Sequence, residues 1–418
     1  MKATLISSSD DGSGSTRAAY RLHKSFRLAG IQSQMLVQTK HRDDATVVGL
    51  SSKSGVGQIV AGSRMVLDRL PLKLYLHRDR TSFSLQWLPD RVSSKVAQFN
   101  PDLVHLQWVN AGYLQIETLA KLGKPIVWTL RDMWAFTGGC HYNGDCDRYT
   151  KSCGSCPQLH SDRDWDLSRW IWKRKARAWQ DLNLTIVALS SWLGECAAAS
   201  SLFGDLRIEV IPNGIDTQIY RPIERQTART LLNLPQDKRL ILFGAVNAAS
   251  DKRKGFHLLQ PALQNLRQFS SSDDVELVVF GALQPENPPD LGFTTRYLGT
   301  LNDDLSLALL YSAADVFIAP SVQENLANTV LEALACGLPC VAFNIGGMPD
   351  LIEHQQNGYL AQPYHIEDLA QGMLWILEHT ERHQKLSYTA RQKIEQAFTM
   401  EATGAKYLSL FTELLENQ

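Results

Sequence analysis

Short apolar, β-branched runs alternate with helical stretches from one end of the chain to the other. In the first half, Ala3–Ser7, Gln34–Gln38, Leu103–Trp108, Pro125–Leu130, Thr185–Leu189 and Ile208–Ile211 predict strands. In the second half, Leu240–Gly244, Glu276–Phe280, Arg296–Leu298, Val316–Ala319 and Cys340–Phe343 do the same. Near-continuous apolar strands separated by helices are covered on both faces, so the expected class is α/β with parallel sheets. The alternation restarts after Pro212-Asn213-Gly214, and the polar, Pro-containing stretch Asp216 to Asp237 reads as a linker. The expectation is two doubly wound domains, 1–214 and 215–395, with ligands bound beyond the carboxyl ends of their strands. Thr399–Leu415 places Ala402, Tyr407, Leu410, Phe411, Leu414 and Leu415 at helical spacing. Residues 396–418 are therefore expected as an amphipathic helix that closes the second domain or crosses back onto the first.

Composition narrows the class without changing it. The chain has 418 residues, 44% hydrophobic and 20% charged, which excludes disordered, collagen-like and coiled-coil chains and suffices for two cores. Forty-two basic residues nearly balance 43 acidic ones, so a nucleic-acid partner is not expected. No apolar run approaches the roughly 20 residues of a spanning helix. The N-terminus reads as a first strand rather than a secretory signal, and the expectation is a cytoplasmic chain, with peripheral contact to a membrane face open. Seven cysteines, an odd number, argue against a disulfide scaffold, yet four of them crowd between Cys140 and Cys156.

The sharpest chemistry follows strand Val316–Ala319, in Pro320-Ser321-Val322-Gln323-Glu324-Asn325-Leu326-Ala327 and a helix expected to begin near Leu326. Backbone N–H groups at a helix start are unpaired and carry the positive end of the dipole, which suits a phosphate. Glu324 and Glu332 are eight residues apart, roughly 12 Å along a helix, too far to share a metal or a proton. They suit hydroxyls at two ends of an extended ligand, or a cap and a surface charge. Lys252-Arg253-Lys254-Gly255 follows strand Leu240–Gly244 and is either a solvated basic turn or a pair of cations for developing negative charge.

Glu324-x7-Glu332, followed by Ala335-Cys336-Gly337-Leu338-Pro339, resembles the signature of the family-4 retaining glycosyltransferases of the GT-B fold, two Rossmann-like domains facing across a cleft. The resemblance implies that Glu324 contacts the donor sugar and Glu332 the ribose hydroxyls. It implies also that the amides of Asn325, Leu326 and Ala327 hold phosphate and sugar. Lys254 matches the family's diphosphate-binding lysine. Arg253 is the expected second cation, because the arginine many members place after the strand's glycine is Ala245 here. The Gly-rich turn Asp11-Gly12-Ser13-Gly14 lies where the family lines its donor and acceptor site, so Gly12 and Gly14 are carried over; the dinucleotide glycine fingerprint is incomplete.

Thr129-Leu130-Arg131-Asp132 departs from the family. Many relatives have His-Asp there, the His contacting the 6-hydroxyl of the donor sugar. Arg131 in that place would suit a C6 carboxylate, which implies UDP-glucuronate as donor, with UDP-glucose or another UDP-hexose as the alternative. Pairing of Arg131 with Asp132, another carboxylate or phosphate remains the competing reading. Cys153-x2-Cys156 has zinc-like spacing while Cys140-x5-Cys146 is looser, leaving a zinc site, two disulfides or four packed thiols open. A subset of the family carries this loop. Trp165 to Trp179 mixes tryptophans with five basic residues, either an interfacial membrane helix or an ordinary packed one. The expected enzyme transfers a sugar from UDP to a saccharide or lipid-linked saccharide acceptor, with no metal and no cofactor. A dehydrogenase, an epimerase or phosphorylase of the same fold, and a binding module are the rivals.

Overall fold

Hydrogen bonding assembles the apolar runs into two separate sheets in which every ladder between named strands is parallel. The computed structural model describes residues 1–12, 14–50, 55–244, 251–268, 274–301 and 303–417. Ser13 and Ala245 lie outside the described residues. The first sheet contains β1 (Lys2–Ser9), β2 (Gln32–Thr39), β3 (Val47–Gly49), β4 (Leu103–Leu106), β5 (Ile126–Leu130), β6 (Leu184–Ala188) and β7 (Ile208–Val210), in the order β3-β2-β1-β4-β5-β6-β7. The second contains β8 (Arg239–Gly244), β9 (Val275–Phe280), β10 (Thr294–Tyr297), β11 (Val316–Ala319), β12 (Cys340–Phe343) and β13 (Gly358–Ala361), in the order β10-β9-β8-β11-β12-β13.

In each sheet the chain builds outward from its first strand and then returns to build the other way. The reversal falls between β1 and β4, where Leu5 pairs with His105, and between β8 and β11, where Val316 pairs with Ile241. Loops on either side of such a reversal splay apart at the carboxyl ends of the strands and leave a crevice there. Gly12, Arg253, Lys254 and Glu324 belong to loops after β1, β8 and β11, and Arg131 follows β5, the next strand out.

Two edge strands escape the hydrophobic pattern. β3 is three residues and β13 four, and each has a glycine at one end, which shortens its apolar run.

The chain divides into two units, Met1–Gly214 with Thr403–Gln418, and Ile215–Ala402. In the first, alternation along the strands sends Ile6, Leu106 and Trp128 to one face, with Trp134, Trp179 and Phe203. Leu5, Met35 and Val127 go to the other, against Phe26, Tyr407 and Phe411. The C-terminal helix Met400–Glu416 thus covers a face of the first sheet, and the Tyr407 hydroxyl lies 2.6 Å from Thr129 Oγ1. Asp216 to Asp237 is not a linker. It contains the helix Arg225–Leu231, capped by the Glu224 carboxylate, with Ala228 fully buried. Two of its arginines serve Asp315, which is buried and bridged by Arg229 at 2.8 Å and Arg225 at 2.7 Å. A buried carboxylate is costly without such partners, and that need explains the two arginines.

Candidate functional site

The crevice between β8 and β11 is shaped by a contact that only glycine permits. Asp251 accepts the Arg253 amide and starts a single 3₁₀ turn, Lys252–Lys254, which ends on Gly255 at φ +72°. A Cβ on Gly255 would lie 1.7 Å from the Pro320 carbonyl oxygen, so the basic turn is pressed against the loop after β11. The Val322 amide donates to Arg253 O at 2.8 Å and joins the two loops. The Gly255 carbonyl then accepts the first amides of the helix Phe256–Arg267.

This packing brings together three of the residues singled out from the sequence. Lys254 Nζ donates to Glu324 Oε2 at 2.8 Å, and Arg253 Nη1 reaches the same oxygen at 3.3 Å while also donating to Gln323 O. Burial alone would raise the Glu324 carboxyl. The Lys254 and Arg253 cations outweigh it and hold the group at about 2. Glu324 is therefore an anion at neutral pH, able to accept hydrogen bonds and unable to donate a proton. Its backbone is gripped from behind: the Gly347 amide donates to Glu324 O at 3.1 Å, and Gly346, at φ +51°, leaves no room for a Cβ 2.0 Å from that oxygen.

Asn325, Leu326 and Ala327 follow, all buried, with the Asn325 amide 3.3 Å from Glu324 Oε1. The helix Asn328–Ala335 starts two residues later than the pattern suggests, and Ala327 has no side chain to cap it. Glu332 sits inside that helix, buried, where the Tyr311 hydroxyl donates to its Oε2 at 3.1 Å. Tyr311 and the Gly346-Gly347 pair were not singled out from the sequence. The glycine pair directly after strand Cys340–Phe343 was the available signal; Tyr311 offered none.

In the first unit, Gly12 is exposed at φ +106° and Gly14 opens the helix Gly14–Leu28. Buried Asp10 accepts the amides of His41 and Arg42 at 2.8 and 2.9 Å, which ties this loop to the one after β2. Arg131 stands at the end of β5. Its Nε donates to Gln107 Oε1 at 2.6 Å and its Nη1 to Asn213 Oδ1, both neutral amide oxygens. Burial lowers its guanidinium to about 10.

Asp132 does not pair with Arg131. Its Oδ2 receives His141 Nδ1 at 2.6 Å and Trp108 Nε1 at 3.0 Å, and its Oδ1 the Trp134 amide at 2.9 Å. These bonds turn both oxygens toward the protein, and Asp132 orders the loop after β5. His141, which sequence reasoning did not single out, continues the chain to Ser84 Oγ at 2.8 Å.

All four clustered cysteines are free thiols lining a small cavity of about 20 Å³. Among the described residues no three His, Cys, Asp or Glu side chains are arranged to hold a metal ion. The helix Leu167–Trp179 uses much of its basic character internally. Lys175 is fully buried and donates to the Trp134 and Thr137 carbonyls, and Arg174 is bidentate to Glu117 at 2.7 Å. Lys173 rests on the Trp165 ring at 4.1 Å.

The family described as Glycosyltransferase Family 4 matches residues 12–219, and that described as Glycosyl transferases group 1 matches residues 237–379. The sulfoquinovosyl transferase SQD2 of Arabidopsis thaliana is 26% identical over 359 residues, 84% of this chain and 64% of that protein. The D-inositol 3-phosphate glycosyltransferase of Paenarthrobacter aurescens is 28% identical over 216 residues, 50% of this chain and 52% of that protein. The chain thus spans between half and two thirds of the length of these two relatives. Sucrose-phosphate synthase from Thermosynechococcus elongatus has a similar fold, with TM-score 0.71 at 17% identity over the whole of both chains. Anabaena HepE, solved with UDP and glucose, gives TM-score 0.64 at 16% identity over 99% of this chain and 100% of that one.

Proposed function

Because the chain belongs to the group 1, family-4 glycosyltransferases of the GT-B fold, we propose that it is a retaining transferase that moves a sugar from UDP to a saccharide acceptor. Glucuronate is the first candidate for that sugar, and the biological setting proposed is polysaccharide assembly on a lipid-linked acceptor. The observation that carries the reading is the Lys254–Glu324–Arg253 cluster at the reversal of the second sheet. Departure of a nucleoside diphosphate leaves growing negative charge on its phosphate oxygens. Lys254 and Arg253 are cations already fixed in place for that charge, which gives the reaction what a divalent metal would otherwise supply. The amides of Asn325, Leu326 and Ala327 add donors at the start of a helix with no side-chain cap.

Glu324, held ionised, accepts from sugar hydroxyls. It is a poor general acid, which favours a mechanism in which the leaving phosphate takes the acceptor's proton and no side chain acts as nucleophile. Glu332, steadied by Tyr311, takes the ribose hydroxyls. Gly12 and Gly14 give the acceptor side a backbone that a ligand can approach closely. Arg131 supplies the preference for a uronic acid. Its engagement by two amide oxygens orients the guanidinium at the end of β5. SQD2 is named for transfer of a sulfoquinovosyl group, also an anionic sugar.

The test is release of free UDP from a panel of purified UDP-sugars, with and without simple acceptors. UDP appearing fastest from UDP-glucuronate, and a shift toward UDP-glucose in Arg131→His, is the expected result. UDP-glucose winning in the wild type removes the uronate and keeps the transferase. Interconversion of nucleotide sugars, or phosphate-dependent cleavage, would favour an epimerase or a phosphorylase. No turnover and no calorimetric binding of any donor defeats the proposal.

A further inference from the structure

In the last two turns of the helix Gly55–Asp68, two charged side chains turn inward while apolar ones stay out. Arg64 donates to Gly112 O at 2.9 Å and to Pro89 O at 2.8 Å. Asp68, one turn on, is 1% exposed and accepts the Leu85 amide at 3.2 Å. Ile59 and Val66, seven residues apart, share the opposite face at 100° per residue, and they are 71% and 63% exposed. The 3₁₀ turn Leu70–Leu74 continues the pattern: Leu72 is buried, whereas Leu74 is 81% exposed and Leu76, just beyond, 86%. Met65, Val66 and Leu76 line an open groove of about 510 Å³ together with Arg69, Lys73 and Arg80.

Isolated exposed leucines are ordinary, but a run of outward apolar side chains on one face, rimmed by cations, marks a binding surface. The acidic side chains of the segment do not cancel that rim, since Asp68 is turned inside and Asp79 lies 3.1 Å from His160. From these exposed apolar side chains and their basic rim we infer that residues 59–80 are the docking surface for an anionic phospholipid bilayer. Ile59, Val66, Leu74 and Leu76 enter the boundary between headgroups and acyl chains. Arg69, Lys73 and Arg80 stay at headgroup level on their aliphatic stems. The surface replaces the Trp165–Trp179 segment as the membrane contact, because that helix commits Arg174 and Lys175 inside the protein. The inference rests on the proposed function only for its purpose, bringing the enzyme to a lipid-linked acceptor.

The test is flotation of the full chain with vesicles of phosphatidylcholine, with or without phosphatidylglycerol. The protein should float with the phosphatidylglycerol vesicles, not with pure phosphatidylcholine, and should be released as salt approaches about 0.5 M, where the screening length falls to a few ångströms. Arg69→Gln/Lys73→Gln should lower binding about 25-fold, at roughly fivefold for each headgroup-level cation. Leu74→Glu/Leu76→Glu should lower it at least tenfold for each leucine withheld from the apolar layer. Both pairs are exposed, so unchanged circular dichroism is expected, and unchanged UDP release in lipid-free solution separates failure of the surface from failure of the enzyme assignment. No flotation, equal flotation with neutral vesicles, or equal flotation of the variants overturns the inference. So does a wild-type dimer that Leu74→Glu/Leu76→Glu dissociates without any vesicle binding, since the occupant is then a second copy.

Discussion

Gly255→Ala tests whether contact between the two loops positions the cations. Two costs add at this residue. A left-handed backbone at φ +72° costs an L-residue about 1–2 kcal/mol. The new Cβ would also stand 1.7 Å from Pro320 O, and real Cβ atoms essentially never approach within 3.0 Å, so one loop must retreat by at least 1.3 Å. Both atoms are tied to the backbone and no rotamer relieves them. The retreat pulls on the bond from the Val322 amide to Arg253 O, worth about 1 kcal/mol, and draws Lys254 from its 2.8 Å contact with Glu324. The expected loss of stability is roughly 2–3 kcal/mol, read from urea unfolding. Turnover should suffer more, because misplacement of a charge-stabilising group by about 1 Å costs on the order of 100-fold. Gly123→Ala is the control. Gly123 has φ +60° with nothing within 4 Å of the place its new methyl would occupy, so it incurs the backbone cost without the collision. Its UDP release should match wild type. If Gly255→Ala releases UDP as fast as Gly123→Ala, the collision does not position Lys254 and the reasoning fails.

Other outcomes follow from the same chemistry. Glu324 has a depressed carboxyl, about 2 against an ordinary 4.5, so its contribution to stability is complete above about pH 4.5 and is lost as pH falls toward 2. Lys254→Met lets that carboxyl rise, so the stability gap between wild type and variant should be widest at pH 6 and should narrow by pH 3. A gap constant across that range contradicts the ion pair. Burial pushes the Cys153 thiol up to about 12 and Cys156 to about 11, so both are protonated at neutral pH. Alkylation followed by mass spectrometry should label them slowly in the native protein and should label all seven cysteines in denaturant without reductant. Labelling of fewer than seven in denaturant would reveal disulfides instead.

Sequence periodicity carries the α/β class because parallel strands announce themselves as apolar runs, and 11 of the named strands coincide with such runs. It cannot carry β3 or β13, where edge position and a glycine remove the run. The Glu324 and Lys254 motifs are legible because loops after strands at a sheet reversal keep their chemistry in short segments. What those segments touch is not legible. Nothing local says that Gly255 meets Pro320, or that Gly346 backs Glu324 from 22 residues downstream. Arg131 shows the same limit. Its neighbour Asp132 looks like its natural partner, yet in the fold Arg131 bonds to Gln107 and Asn213, and Asp132 to His141.

The segments that mislead share a cause. Asp216 to Asp237 is polar and resembles solvated linker, but Arg225 and Arg229 face inward to neutralise Asp315. Trp165 to Trp179 is basic and aromatic, and it divides its basic residues: Lys175 is buried among carbonyls and tryptophan, whereas Lys173 and Arg177 stay exposed. Residues 59–76 are largely apolar and would ordinarily be assigned to a core, yet Ile59, Val66, Leu74 and Leu76 stay out while Arg64 and Asp68 turn in, as Leu72 does. Residue type predicts burial only through the free energy of the isolated side chain in water. A charge that finds two or three fixed partners goes inside, and an apolar face left without a partner stays out. Inversions of this kind therefore separate two uses of charge in the chain. Arg229 and Lys175 find protein partners that fully enclose them and so build the fold. Lys254, a third exposed in its pairing with Glu324, keeps part of its surface open, as the proposed exchange of that partner for a ligand's phosphate requires.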